Sequence, residues 1–228
     1  MLASNKMKDI RNVVTRGRLS VLLIVALLVI DQIIKILVKT NMCLGEAIHI
    51  TDWFYIDFVE NNGMAYGMTF INKFLLSLLR IAAICIIGWY IHRQIKVRAR
   101  YCYIILLSMV FAGAAGNIFD SMFYGLVFDA STPFDVSSVV PFGTGYAPFL
   151  MGKVVDMFYF PIIVTTWPSW VPMVGGSEFI FFSPVFNFAD ACISVGVVML
   201  LLVCRKELET LSLFSQSNKK DVDNSEQK

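Results

Sequence analysis

Charge is scarce in this 228-residue chain: Asp, Glu, Lys and Arg make up 16% of it, against 57% hydrophobic residues. The mean hydropathy is +0.68. An ordinary soluble domain, about a quarter charged, is excluded. The net charge of +2 leaves no basic footprint for nucleic acid, so no such partner is expected. Histidine is nearly missing; His49 and His92 stand alone, without the spacing of a metal-ligand cluster. No metal and no cofactor are expected. The five cysteines (Cys43, Cys85, Cys102, Cys192, Cys204) are odd in number and never spaced as Cys-x-x-Cys. Most lie in or beside apolar runs, where cysteine acts as a small hydrophobe, so a disulfide framework is not expected. Also lacking are His-Glu-x-x-His, a phosphate-binding glycine loop and any Ser–His or Cys–His catalytic pairing.

Long apolar runs are plentiful. Leu19 to Val38, Phe74 to Ile91, Tyr101 to Phe119 and Val185 to Val203 are each about 18 to 20 residues, enough for a bilayer core of about 30 Å. The first run follows a basic head but continues past Ile30 into Asp31-Gln32-Ile33-Ile34-Lys35 with no small-x-small cleavage site, so it reads as a retained helix. The expected fold is an all-α integral membrane protein with four transmembrane helices at 19–38, 74–91, 101–119 and 185–203. A small extracytoplasmic strand or loop element is expected over 48–59, and a long outer loop over 121–184. Residues 1–204 form one membrane domain, a monomer, and 205–228 a polar cytoplasmic tail.

The loops set the orientation. The N-terminal segment, the 92–100 linker and the start of the tail are basic. The 39–73 loop holds only Lys39 and Lys73, and the 120–184 loop only Lys153. The positive-inside rule therefore puts both termini in the cytoplasm and both long loops outside. At 1.5 Å per residue, Asp31 lies about 18 Å past Leu19, and Asn117 and Asp120 about 24 to 28 Å past Tyr101. Asn187 and Asp190 open the fourth run, while Asn61, Gly63 and Asp156 lie in the outer loops. The polar clusters thus meet at one level, the outer boundary of the membrane. Ionisable residues at membrane depth are costly and mark function.

Carboxylates and amides are the chemistry available there. Two carboxylates held close share a proton, so one activates a water while the other polarises a carbonyl. That is aspartic peptidase chemistry. The candidates for the pair are Asp31, Asp120, Asp129, Asp156 and Asp190. A proton-relaying transporter, a non-catalytic assembly factor and a metal-dependent headgroup transferase are the competing readings. The first wants carboxylates spread through the membrane depth, the second tolerates their loss, and the third wants a denser acidic cluster.

The motifs resemble those of the lipoprotein signal peptidase (signal peptidase II) family of bacterial membrane aspartyl peptidases. Asp31-Gln32-Ile33-Ile34-Lys35 resembles its first motif. Asn61-Asn62-Gly63-Met64-Ala65-Tyr66 is similar to its Asn-x-Gly-x-Ala-Phe box. Gly116-Asn117-Ile118-Phe119-Asp120 resembles Gly-Asn-x-x-Asp. Val154-Val155-Asp156 and Phe186-Asn187-Phe188-Ala189-Asp190 resemble the two segments that hold the catalytic aspartates. The resemblance implies catalysis by Asp156 and Asp190, with substrate binding or dyad support from Asp31, Lys35, Asn61, Gly63, Asn117, Asp120 and Asn187. It implies cleavage of diacylglyceryl-modified prolipoproteins before the lipidated cysteine, at the outer face of the bacterial inner membrane, among membrane lipids. Two departures stand out. Ser121 replaces the family's usual Arg, whose contact Lys153 or Arg80 would have to supply. Gly125-Leu126-Val127-Phe128-Asp129 repeats the pattern around Asp156, with the stretch between the two copies expected to be an inserted surface hairpin or a lid.

Overall fold

The computed structural model describes residues 2–62 and 73–208, with side chains from residue 13 onward. The described chain holds the helices α1 (Leu2–Asn41), α2 (Lys73–Lys96), α3 (Tyr101–Val127) and α4 (Phe188–Val203). It also holds the strands β1 (Ala47–Thr51), β2 (Phe54–Asn61), β3 (Val154–Tyr159), β4 (Ile163–Thr166) and β5 (Glu178–Phe181). The protein is mostly helical, with two small antiparallel sheets: β1 and β2 fall on the small strand element expected over 48–59, and β3, β4 and β5 add strands within the expected 121–184 loop. The first has the order β1-β2-β3 and the second is the β4-β5 hairpin.

Three helical stretches, Val13–Asn41, Lys73–Lys96 and Tyr101–Val127, are long and apolar enough to cross a membrane; α4, with 16 residues, is apolar but shorter. Leu2 to Asn41 contains no proline and one glycine, so nothing breaks it and the basic head joins the apolar run in one helix. Its faces are inverted relative to a water-soluble helix. Val21 and Leu22 are 60% and 68% exposed, while Asp31, Lys35 and Lys39 are at most 2% exposed. In an apolar solvent the polar groups gather inside, where they satisfy one another.

Helix α3 is the central post and touches α1, α2 and α4. It approaches α1 and α4 closely through small residues. A methyl on Gly116 would lie 2.6 Å from Asp31 Oδ2 and 3.4 Å from Ala189 Cβ. The helix runs to Val127 rather than ending near Phe119, because the polar Asp120 and Ser121 are turned inward and buried.

The stretch between the two Gly-x-Val-x-Asp-like copies folds back as a cap instead of standing free as a lid. The last turn of a helix leaves its carbonyls without partners. Here Ala147, Gly143, Val140 and Tyr146 donate their amides to the carbonyls of Gly125, Leu126, Val127 and Phe128 at 2.8–3.0 Å. Gly152 N then reaches Ser121 O (2.9 Å) and delivers the chain to β3. Strand β3 pairs with β2, setting Asp156 opposite Val59 and Val154 opposite Asn61. Its end is tied to the segment before α4 by reciprocal amide–carbonyl bonds between Phe158 and Phe186 (2.7 and 3.0 Å).

Gly116→Ala should lower the apparent Tm of the purified protein in detergent, since overpacking of this kind costs about 1–3 kcal/mol. Gly17→Ala, where a methyl would meet nothing within 4 Å, should leave the Tm unchanged or slightly higher.

Candidate active site

The site is built around the start of α4. Asn187 is its N-cap, with extended backbone at φ −116°, and its side chain accepts from Asp190 N (2.9 Å). Asp190 Oδ2 in turn accepts from Asn187 N (3.3 Å), completing a reciprocal capping box. The next orphan donor, Ala189 N, is satisfied from across the bundle by Asp31 Oδ1 (3.0 Å). The helix therefore begins inside the protein with its first amides capped, and Asn187 is fully buried.

Both prime carboxylates bond to Asn187. Its Nδ2 donates to Asp156 Oδ1 (2.6 Å), while its backbone amide serves Asp190. Asn61 also hydrogen-bonds the Asp156 carboxyl from the end of β2. Asn117 joins the group from α3: its Nδ2 donates to Asp190 Oδ1 (2.7 Å), and its Oδ1 accepts from Asn187 Nδ2 (3.0 Å). Burial, and after it the charge of Asp190, pushes Asp156 up from its ordinary 3.8 to about 7; the Asn187 and Asn61 bonds oppose the rise.

Beneath this group lies a buried ion cluster. Lys35 Nζ contacts Asp31 Oδ2 (2.9 Å), Asp120 Oδ2 (2.8 Å) and Asn117 Oδ1 (2.8 Å). Lys35 with Asp31 forms the i,i+4 pair expected from spacing, but Asp120 makes it a three-ion cluster. Gln32 Nε2 donates to Asp120 Oδ1 (2.9 Å) and Tyr124 OH to Gln32 Oε1 (3.1 Å). Neither Gln32 nor Tyr124 is singled out by sequence reasoning. The available signal was an amide and a phenol facing inward from otherwise apolar helices.

The remaining candidates separate. Gly63 lies outside the described residues. Asp129 sits in the capping segment, where Ser138 N donates to its Oδ1 (2.7 Å); that bond holds its carboxyl below the ordinary range. Among the possible replacements for the missing Arg, Lys153 is bonded to Glu60 (2.9 Å), whereas Arg80 interacts electrostatically with Asp190 and Asp156. Among the described residues, no group of three or more His, Cys, Asp or Glu side chains is arranged to hold a metal ion.

Comparison with known proteins places this geometry in context. Residues 23–205 match the profile of the family described as Signal peptidase (SPase) II. A lipoprotein signal peptidase of Porphyromonas gingivalis is 47% identical over 199 residues, covering 87% of each chain. Another, from Amoebophilus asiaticus, is 34% identical over 188 residues, covering 79% of this chain and 75% of its own. A solved bacterial membrane enzyme superposes with a TM-score of 0.56 at 21% identity, covering 84% of this chain and 90% of its own, which supports the fold.

The raised Asp156 pKa sets a sign for stability. The native carboxyl keeps its proton to higher pH than the unfolded chain does. Its contribution is therefore complete below pH 3.8 and is lost as the pH rises through about 7. Asp156→Asn cannot ionise and escapes that loss. Its apparent Tm relative to wild type should climb between about pH 4 and about pH 7 and then level off, the full effect being on the order of 4 kcal/mol.

Proposed function

The chain belongs to the signal peptidase II family, and from that premise we propose that it removes signal peptides from diacylglyceryl-modified prolipoproteins by aspartic catalysis. It is a bacterial multi-pass membrane peptidase. The observation that carries the aspartic assignment is the shared Asn187, bonded to Asp156 through its side chain and to Asp190 through its backbone.

In this reading the pair holds one proton. Asp156, the more deeply desolvated carboxyl with its pKa pushed up to about 7, carries the proton and polarises the scissile carbonyl. Asp190, which accepts from Asn117 and Asn187, takes a proton from the attacking water. Water oxygen bonds to the carbonyl carbon as its proton passes to Asp190, and the carbonyl oxygen gains the proton from Asp156. The tetrahedral diol then collapses as one of its hydroxyl protons returns to Asp156, the C–N bond breaks and the amine leaves with the proton from Asp190. Arg80 supplies positive charge beside the pair in place of the Arg that Ser121 replaces. Asn61 and Gly63 are assigned to substrate binding or dyad support. Asp31, Lys35, Asp120 and Asn117 hold α1, α3 and the start of α4 in register beneath it.

Helix α4 acts as a fourth span. Its 16 residues give about 24 Å, and the half-buried Val185 and Phe186, leading into the buried, extended Asn187, account for the shortfall. The basic N-terminal segment, the basic 92–100 linker and the lysine-poor outer loops support cytoplasmic termini and a site at the outer leaflet. A lipid-anchored substrate presents its scissile bond at that level. The peptidase works as a single unit over 1–204, as a monomer, with a polar tail beyond; residues 209–228 lie outside the described chain.

Cleavage of a diacylglyceryl-modified prolipoprotein by the purified protein in detergent tests this. Activity should persist with chelator, fall by several orders of magnitude in Asp156→Asn and Asp190→Asn, and survive in Asp129→Asn. An inactive Asp129→Asn beside an active Asp156→Asn would move the pair to Asp129. Arg80→Leu should lower kcat more than Arg80→Lys does.

A further inference from the structure

A second buried ion cluster lies outside the proposed dyad. Glu60, at the end of β2, has a side chain 2% exposed and holds two lysines. Lys39 Nζ, from the outer end of α1, meets Glu60 Oε1 (2.6 Å), and Lys153 Nζ meets Oε2 (2.9 Å). Ser131 Oγ donates to Glu60 Oε1 (2.9 Å) and accepts from Lys39 Nζ (2.8 Å). The Lys39 ammonium also lies over the rings of Phe128 (5.4 Å) and Tyr146 (5.1 Å). Tyr146 OH accepts from Lys153 N (2.7 Å). Burial opposes ionisation of Glu60, but the Lys39 hydrogen bond and charge, with help from Lys153 and Ser131, hold it below its ordinary value.

The location of this cluster gives it meaning. Glu60 is followed directly by Asn61, which bonds the Asp156 carboxyl. Across the sheet Glu60 pairs with Val155, the neighbour of Asp156. Lys153 stands three residues before Asp156. Ser131, Phe128 and Tyr146 all belong to the segment that caps α3. Glu60 thus joins that segment and α1 to the two strands that carry Asn61 and Asp156. An ion pair in this setting is a poor source of net stability but a good source of fixed geometry, because removing one partner strands a buried charge. Lys39 and Lys153, two of the three lysines in the 39–73 and 120–184 stretches, are committed to it.

We propose that Glu60 is a positioning residue that sets Asn61 against Asp156, and that the 128–153 segment influences catalysis through it. This rests on the peptidase reading above. The coupling runs through Glu60 Oε1 and Oε2: Lys39 and Ser131 fix one oxygen and Lys153 the other, so the backbone of Glu60 and Asn61 has one orientation relative to β3. Without that hold, the Asn61 amide drifts from the carboxyl it serves, and misplacement by about 1 Å at a reacting centre costs as much as a hundredfold in rate.

A double-mutant cycle in the prolipoprotein cleavage assay tests this, using full-length protein with single-turnover rates and KM measured together. Glu60→Gln should lower kcat about tenfold or more with KM little changed. In an Asn61→Ser background, itself slowed, Glu60→Gln should add less than about a twofold loss, since the two changes act through one contact. Ser131→Ala and Lys153→Met should lower kcat in the same sense and should also lose their effect in the Asn61→Ser background. They carry the test if Glu60→Gln fails to fold. Losses that multiply in both backgrounds, or wild-type kcat in Glu60→Gln, would overturn the proposal. An effect of Glu60→Gln without any effect of Ser131→Ala or Lys153→Met would overturn the role of the 128–153 segment. If Asp190→Asn still cleaves, the aspartic reading falls, while the cycle still decides the Glu60–Asn61 coupling.

Discussion

A single ammonium in an apolar surround organises the bundle. Lys35 Nζ has two carboxylates and an amide oxygen within 2.9 Å, and its side chain is 1% exposed. Leaving such a charge unpaired at that depth costs several kcal/mol, so α1 and α3 adopt the one relative placement that supplies the oxygens. That placement brings Gly116 against Asp31 and leaves Asp31 Oδ1 free to accept from Ala189 N. The position of α4 follows, and with it the position of Asp190. Apolar packing surrounds this arrangement, but lipid tails are as apolar as leucine and give helices little reason to choose one register. The polar contacts make the choice.

The start of α4 performs two tasks with the same atoms. As a helix terminus it needs acceptors for its first amides; as the proposed site it needs two carboxylates at close quarters. Asn187 serves both, capping through its oxygen and holding Asp156 through its nitrogen. A carboxyl buried there is poorly solvated, which is the physical origin of the raised Asp156 pKa. Replacing Asn187 would disturb the helix and the pair together.

How much of this was legible follows from the range of each interaction. Helices announce themselves through local composition, and Asp31 with Lys35 through a four-residue spacing. The motif residues Asn117, Asp156, Asn187 and Asp190 were legible by resemblance, and the structure brings them together around Asn187. Gln32, Tyr124 and Ser131 were not singled out, because their partners are 71 to 92 residues away in the chain and the local sequence does not name those partners. The end of α3 was misplaced by the usual equation of polar with exposed. Asp120 looks like a helix end only if its carboxylate is assumed to face water. The β2–β3 pairing was equally hidden, since Glu60 and Lys153 meet only after α3 and the capping segment have been laid down.

The bond between Asp31 and Ala189 spans 158 residues and has a consequence for biogenesis. Ribosomes add roughly 5–20 residues per second, so the first helix waits on the order of 8 to 30 s for the amide that completes its network. Asp190 is made later still, and the proposed pair does not exist in any shorter nascent chain. On the proposed reading, a nascent chain that has not yet reached residue 190 of 228 lacks one of the two carboxylates and cannot cleave, so activity waits for the start of α4.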